Sequence, residues 1–453
     1  MTTAVAHENV QPTRGALAEA YVAEFGAAVR PGEPAALGDL RRRAIGRFAE
    51  LGFPTMQQEA WRFTNVGPLA RMSFRRALGP APVDRAALAP YLYADELAVA
   101  VFVDGYFSPQ LSRLEGLPDG VSVGSLASAI ASGHPAVEAH LGRHAAFEEQ
   151  AFVALNTAFF ADGPFVHVPR GVVVERPLLL LFVGTGGAEP TAAYPRTLLV
   201  AEEASQLTVI ESYASAGAGE PTFTCPVTEL VAGPAAVVDH YRVQQERTDG
   251  FHVALQQYRC ERGAQLSSHS LSTGGGLVRN DVRAVLAGEG VDAILNGLYL
   301  VRGRQHVDNH MWVEHAAPHC SSHELYKGIL EGRSRAVFNG LIHVHEGAQK
   351  TDAKQTNRNL LLSKEALVNT NPQLVIFADD VKCTHGSTVG QLDTEAVFYL
   401  RSRGIGEEAA RSLLIYSFAR DVTDRIRYEP LRRDREEFLF ARLPKGEVVR
   451  QAV

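Results

Sequence analysis

The chain has 453 residues, of which 46% are hydrophobic and 21% charged, with a formal net charge of −7. That balance excludes global disorder, and the acidic sign argues against a clustered basic surface for nucleic acid. The length is ample for burying large cores.

Met1 to Pro12 lacks the basic start and apolar stretch of an export signal. The most apolar run, Leu178 to Val183, falls far short of the about 20 residues a membrane-spanning helix needs. A soluble, cytoplasmic protein is expected. Leu17, Tyr21, Phe25 and Val29 recur every four residues, and Leu37, Leu40, Ala44, Phe48 and Leu51 continue the stripe after Pro31-Gly32 and Pro34. Both sets predict helices with one apolar face. Arg41-Arg42-Arg43 sits inside the second pattern and reads as a solvated face. From Leu97 to Phe102 the pattern turns β-like, and Gly133-His134-Pro135 opens a further helix running towards Phe159.

After Gly163-Pro164, short runs rich in Val, Leu, Ile, Thr and Tyr are separated by glycine-containing turns. Examples are Thr197–Ala201, Gln206–Tyr213, Val227–Val231, Ala236–Val243, Ala293–Leu300 and Ala336–Val344. Alternation such as Val237, Asp239, Tyr241, Val243 is the period-two mark of strands. Ala293-Ile294-Leu295-Asn296-Gly297-Leu298 returns as Ala336-Val337-Phe338-Asn339-Gly340-Leu341. Ser267-Ser268-His269 is echoed by Ser321-Ser322-His323. Such repetition suggests a solenoid whose coils bury a common core only when stacked. A parallel β-helix fits best, and a β-sandwich is the alternative. Near the end, Asp393 can cap a helix through Arg403 that Gly404 terminates, and a second helix starts near Glu407. Its stripe, Ala410, Leu414, Phe418, Val422 and Ile426, packs on the β-helix or meets a partner. The expected division is an N-terminal mostly helical domain (1–160), a parallel β-helix core (161–390) and a C-terminal helical domain (391–453).

No GxxxxGK[ST] occurs, so nucleotide hydrolysis is not expected of this chain. Gly274-Gly275-Gly276 reads as a turn. Gly120-Val121-Ser122-Val123-Gly124 matches GxSxG, but the turn signal Leu117-Pro118-Asp119 stands where a nucleophile elbow needs a strand. Cys225, Cys260, Cys320 and Cys383 form no CxxC pair and are expected as free thiols. His306, His310, His315, His319, His323, His343 and His345 crowd one stretch. On a helix, His306 and His310 would share a face and could bind zinc. On strands, His343 and His345 point the same way and could collect a metal; satisfied surface or interface histidines are the plainer reading. Cys383 and His385, in Lys382-Cys383-Thr384-His385-Gly386, would project on one side of a strand. A thiolate and an imidazole suit iron–sulfur ligation, yet a cluster wants about four ligands. A buried cysteine beside a hydrogen-bonded histidine is the other reading, and spacing does not separate the two.

The stretch Asn371-Pro372-Gln373-Leu374-Val375-Ile376-Phe377-Ala378-Asp379-Asp380-Val381-Lys382-Cys383-Thr384-His385-Gly386-Ser387-Thr388-Val389-Gly390 resembles the signature of the SufB/SufD family, and its KC-x-HG element is most like SufD. The likeness continues through Phe398-Tyr399-Leu400-Arg401-Ser402-Arg403-Gly404-Ile405, Glu59-Ala60-Trp61-Arg62-Phe63-Thr64-Asn65, Ala154-Leu155-Asn156-Thr157-Ala158-Phe159-Phe160 and Val174-Glu175-Arg176-Pro177. It covers nearly the whole chain.

The resemblance implies a mainly β fold, a right-handed parallel β-helix flanked by helical domains, and a non-enzymatic scaffold role in iron–sulfur cluster assembly by the SUF system. It implies pairing with a SufB-like subunit through the β-helices. It also implies a C-terminal domain that docks a SufC-like ABC ATPase, where Ala410, Leu414, Phe418 and Val422 become partner-facing candidates and the missing P-loop is supplied. His385, with Cys383 beside it, would hold a transient iron–sulfur cluster shared with the partner. Reduced flavin is associated with such complexes, but no residue here locates it. SufB-like members carry a cysteine where this chain has Ala366, and none lies between Cys320 and Cys383, which favours SufD. The rivals are a SufB-like or homodimeric scaffold, and a β-helix enzyme acting on polysaccharides, against which the lack of an export signal and of an evident acidic cluster weighs.

Overall fold

The computed structural model describes residues 14–26 and 33–452; the side chain of Leu17 and all of Val29 lie outside the described residues. The chain divides into two compact units, Met1–Ser73 with Ala146–Phe160, and Phe74–Ala145 with Ala161–Val453.

In the first unit, helices Arg14–Phe25, Ala35–Leu51 and Ala151–Phe159 form as the apolar spacing requires. Leu37, Ala44 and Phe48 are buried. Tyr21 meets Phe48, Phe53 and Phe159 edge-on, at ring-centroid distances of 5.8, 5.5 and 6.3 Å. Arg42 and Arg43 are exposed as expected, but Arg41 is buried. Its guanidinium pairs with Glu33, donates to the Ala158 carbonyl at 3.1 Å and lies over the Phe160 ring. Burial of that cation is compensated by these partners.

The second unit is mainly β and builds a parallel β-solenoid of about eight turns. Its strands fall into a 12-stranded and a 10-stranded sheet in which, from Val227–Ala232 onwards, every second strand in sequence is a neighbour. Asp292 pairs with Ser321, and Ser321 with Asp352, one coil apart each time. The coil-to-coil pairs are parallel throughout, which excludes the sandwich. Strand Ala98–Val103, sitting before the expected boundary at 160, extends the 10-stranded sheet by pairing with Val173–Gly184. Antiparallel strands Tyr106–Phe107 and Ser122–Ser125 close this end of the solenoid. Ser122 therefore lies on a strand and not on a nucleophile elbow, and Gly274 to Gly276 form a turn between strands.

The continuous helix expected from Gly133 towards Phe159 does not form. Helix Pro135–His140 stops, and helical structure resumes only at Ala151. Between them the amides of Gly142, His144 and Ala145 donate to the buried carboxylate of Glu229 at 2.9, 2.9 and 3.0 Å. Burial opposes charge on Glu229, but Arg196 at 2.6 Å and these three amides outweigh it and lower its pKa. A sequence-distant acceptor thus takes the hydrogen bonds that a helix would have used.

The internal repeats are real but not in register. Ala293–Leu298 and Ala336–Leu341 occupy equal offsets in strands Asp292–Val301 and Arg335–Val344, which belong to opposite sheets. Ser267 aligns through Ile294 with His323, so the Ser-Ser-His echo is displaced by two positions and keeps its face. The shared glycines vacate interior space. A Cβ on Gly297 would sit 2.2 Å from the Tyr326 ring, and one on Gly340 would sit 2.3 Å from Gln355 Nε2.

The interior is unexpectedly polar in the middle coils. His240, Arg242 and Gln244 point inward, while Tyr241 and Val243 of the same strand face outward against apolar residues of the C-terminal helices. Tyr241 and Val243 therefore serve the helices, while Val238 of the same strand packs in the solenoid core. Inside, Arg242 donates to Asn280 Oδ1 at 2.7 Å and meets His252 Nε2, whose Nδ1 donates to Glu246 at 2.6 Å. With Arg242 on one nitrogen and Glu246 on the other, His252 is held neutral, and burial lowers its pKa. Glu246 also accepts from Thr224 and Gln244. Thr228 and Tyr213 donate to Glu211.

Two buried histidines tie the fold to pH: His315 in the interior, and His269 on the outward face, stacked on Tyr241. Burial lowers His269 to about 3 and His315 to about 4. His269 bonds Ser267 at 2.9 Å and His315 bonds Ser322 at 2.8 Å. Both are neutral in the fold, whereas the unfolded chain takes up protons below about pH 6.5. Stability is therefore full above that value and declines as pH falls through the folded-state pKa values, by about 1.4 kcal/mol per pH unit for each histidine. In urea titrations from pH 7 to 5, a His269→Gln/His315→Gln variant should show a flatter pH dependence than the wild type; identical slopes would refute the assignment. A Gly340→Ala variant should unfold at lower denaturant, by about 1–3 kcal/mol, because buried Gln355 must move.

Candidate functional site: the open end of the solenoid

The last coil consists of strands Leu367–Ile376 and Lys382–Gly390. Each pairs on one side only, with Arg335–Val344 and Asp352–Leu361 respectively, so both leave a row of backbone groups free. Large apolar side chains remain exposed along this end: Leu367, Val375, Ile376, Val389 and Phe377, the last at 61%. Among the described residues no antiparallel strand covers this coil as at the opposite end.

Cys383 and His385 do share a face, and it is the inward one. Cys383 stacks on buried Ala353 and His385 on buried Gln355. Cys383 is half-buried against the solenoid core, and burial raises its thiol pKa, so it rests as a thiol and not a thiolate. His385, two residues further along the same strand, is exposed at the mouth. Beneath it lies a polar column that no motif had indicated. His385 stacks on Gln355, and Gln355 stacks on Glu324. Gln355 Nε2 donates to Glu324 Oε2 at 3.1 Å. Burial pushes the Glu324 carboxyl up to about 8, leaving it protonated at neutral pH. The only sequence signal was the presence of Glu and Gln at inward strand positions, and that needed the register to be read.

Cys225, Cys260 and Cys320 are buried, Cys260 being pushed up to about 12 by burial. His306 and His310 lie on strand His306–His315, not on a helix, and His310 lies 3.2 Å from Asp308. His315 and His269 are satisfied buried histidines.

Towards the C-terminus, Asp393 caps helix Thr394–Ser402 by accepting from the Glu395 and Ala396 amides. Helix Glu407–Thr423 follows and lays Ile415, Tyr416, Ala419 and Val422 into the apolar cluster that contains Tyr241, Leu298 and Ile329. Of the four expected partner-facing residues, Ala410 and Val422 are sealed inside this chain and Leu414 and Phe418 are half-buried. A strict step of four drifts about 40° per step around a helix of 3.6 residues per turn, so that stripe does not stay on one face. Ser412, Ile415, Ala419 and Val422, at steps of three and four, form the face that packs. Lys327 anchors the helix, its buried ammonium donating to the Phe418 carbonyl at 2.9 Å and pairing with Asp421. The exposed aromatics of this region are Phe398 and Tyr399, 72% and 57% exposed.

No helix among the described residues is long and apolar enough to cross a membrane. Residues 182–418 match the family model "SUF system FeS cluster assembly, SufBD core domain", and residues 19–180 match "SufBD protein N-terminal region". The iron–sulfur cluster assembly protein SufD of Escherichia coli is 35% identical over 399 residues, covering 87% of this chain and 90% of the relative. An iron–sulfur cluster assembly SufBD family protein of Synechocystis is 33% identical over 402 residues, covering 87% and 88%. A chloroplastic protein of Arabidopsis thaliana, ABCI7, is 30% identical over 379 residues, covering 82% and 79%. This chain belongs to the SufBD family and is a SufD-like subunit of the SUF iron–sulfur cluster assembly system.

Proposed function

We propose that this chain is a non-catalytic, cytoplasmic scaffold that pairs through its open last coil with a SufB-like subunit, and that His385 supplies a ligand to the nascent cluster at that junction. The observation that carries this reading is the uncapped coil, with exposed His385 at its mouth. Strand edges and apolar side chains invite addition of another sheet, and membership of the SufBD family supports a SufB-like β-helix as that sheet. At this mouth the chain offers the exposed His385 imidazole, with the Cys383 thiol set back against the core. A cluster wanting about four ligands therefore takes the rest from the partner, which makes the cluster a shared and transient cargo. For Cys383 to join, its proton must leave and the rim must open.

The C-terminal helices are the docking region for a SufC-like ATPase, which hydrolyses the nucleotide. Within them, exposed Phe398 and Tyr399, with half-buried Leu414 and Phe418, offer the contact surface, while Ala410 and Val422 hold the helix in place. ATP-driven movement of these helices would be transmitted to the solenoid through the apolar cluster and Lys327, provided the ATPase binds two conformations with different affinity. Reduced flavin is assigned no site on this chain. A homodimer through the same edges is the second reading, favoured by the self-complementarity that any open strand edge possesses.

Two measurements test the proposal. Co-expressed with SufB-like and SufC-like proteins, a His385→Ala variant should form the same complex by light scattering after gel filtration but fail to build a cluster, read from visible absorption and iron content. Unimpaired cluster formation would remove His385 from the site. A Val375→Lys/Val389→Lys variant should fold normally yet bind the SufB-like subunit at least about tenfold more weakly, because an unpaired charge would be buried at the edge. Undiminished binding would place the interface elsewhere.

A further inference from the structure

Glu314, His343 and His345 offer one ligand atom each, and these atoms all lie within 4.8 Å of one another. They stand on the outer face of the 12-stranded sheet, away from the inward-facing Cys383 and His385. We propose that Glu314, His343 and His345 form a binding site for a divalent first-row transition-metal ion.

Register brings them together. Glu314 lies directly across the parallel ladder from His343, and His345 follows two residues on, on the same side. Neighbouring strands in a sheet are about 4.8 Å apart, which sets side chains of one row within reach of a common ion. The carboxylate already holds His345 Nε2 at 2.7 Å from Glu314 Oε1. The two imidazoles lie 4.7 Å apart between centroids, and the Phe377 ring meets His343 edge-on at 5.6 Å, restricting its rotation. Val285 and Val375 flank the row on either side. A metal about 2.1 Å from each ligand needs ligand–ligand separations of about 3.0–3.4 Å, so side-chain rotation alone closes the site.

The donor set names the ion class. Two imidazoles and one carboxylate suit zinc, iron(II) or cobalt(II), not calcium or magnesium, which want oxygen. Three protein ligands on an open face leave coordination positions for water or for a donor from another chain. Binding displaces the hydrogen bond between Glu314 and His345, so the ion replaces a shared proton. The inference rests on this geometry alone and stands whether or not His385 serves a cluster.

The test is titration of the tag-free full-length chain with cobalt(II), followed by visible ligand-field bands, and with zinc(II) by calorimetry. One ion per chain should bind, and His343→Ala, His345→Ala and Glu314→Gln should each weaken binding by about tenfold or more, whereas His385→Ala should leave it unchanged. Circular dichroism should report an unaltered fold, because all three side chains are partly solvent-exposed. Absence of saturable binding in the wild type, equal binding by a His343→Ala/His345→Ala variant, or loss of binding in His385→Ala would each overturn the proposal.

Discussion

Everything in the second unit depends on a parallel ladder that each coil must share with the next. A single coil has no partner for its backbone groups and no surface against which to bury its side chains, so order propagates by stacking. The stack must also end. At one end the chain spends Tyr106–Phe107 and Ser122–Ser125 on antiparallel caps, whereas at the other it simply stops at Gly390 and turns into helix. That asymmetry leaves the last coil with an unpaired parallel edge, which is completed most readily by another sheet.

A second constraint comes from the polar interior. Arg242, His252 and Glu246 are joined by hydrogen bonds within the core, Glu211 accepts from Thr228 and Tyr213 beside them, and Glu324 lies as a neutral acid below the mouth. Such groups are costly to bury singly and tolerable only as a connected set. Their apolar counterparts, Tyr241, Val243 and Leu298, look outward and are sealed by the C-terminal helices. Solenoid and helices are therefore one packing unit, and displacement of the helices would expose apolar strand surface. This gives the helices a mechanical hold on the coils they cover.

The family signature and the chemistry of its motif were legible in the residues. Cys383 and His385 are two apart on a strand, and period-two geometry alone places them on one face. Which face is decided by register, and register decides that the cysteine is packed and the histidine free. Glu314 joins His343 only because strands His306–His315 and Arg335–Val344 become neighbours across an intervening strand. The displaced Ser-Ser-His echo shows why repeats misjudge register: an offset of two preserves the face and leaves the pattern looking intact.

By itself, the sequence determined the class of fold, the strands and their glycine turns, the caps at Asp393 and Gly404, the absence of a P-loop and the family signature. These follow from local rules of period, capping and motif, which act within a few residues. Tertiary structure alone decided that Glu229 breaks the expected helix after His140, that Arg41 is buried, and that Ala410 and Val422 face inward. It also placed a neutral glutamic acid beneath His385. Each of those outcomes depends on a partner far away in the chain, and burial, which sets the charge of Glu324 and the thiol of Cys383, exists only once the coils have stacked.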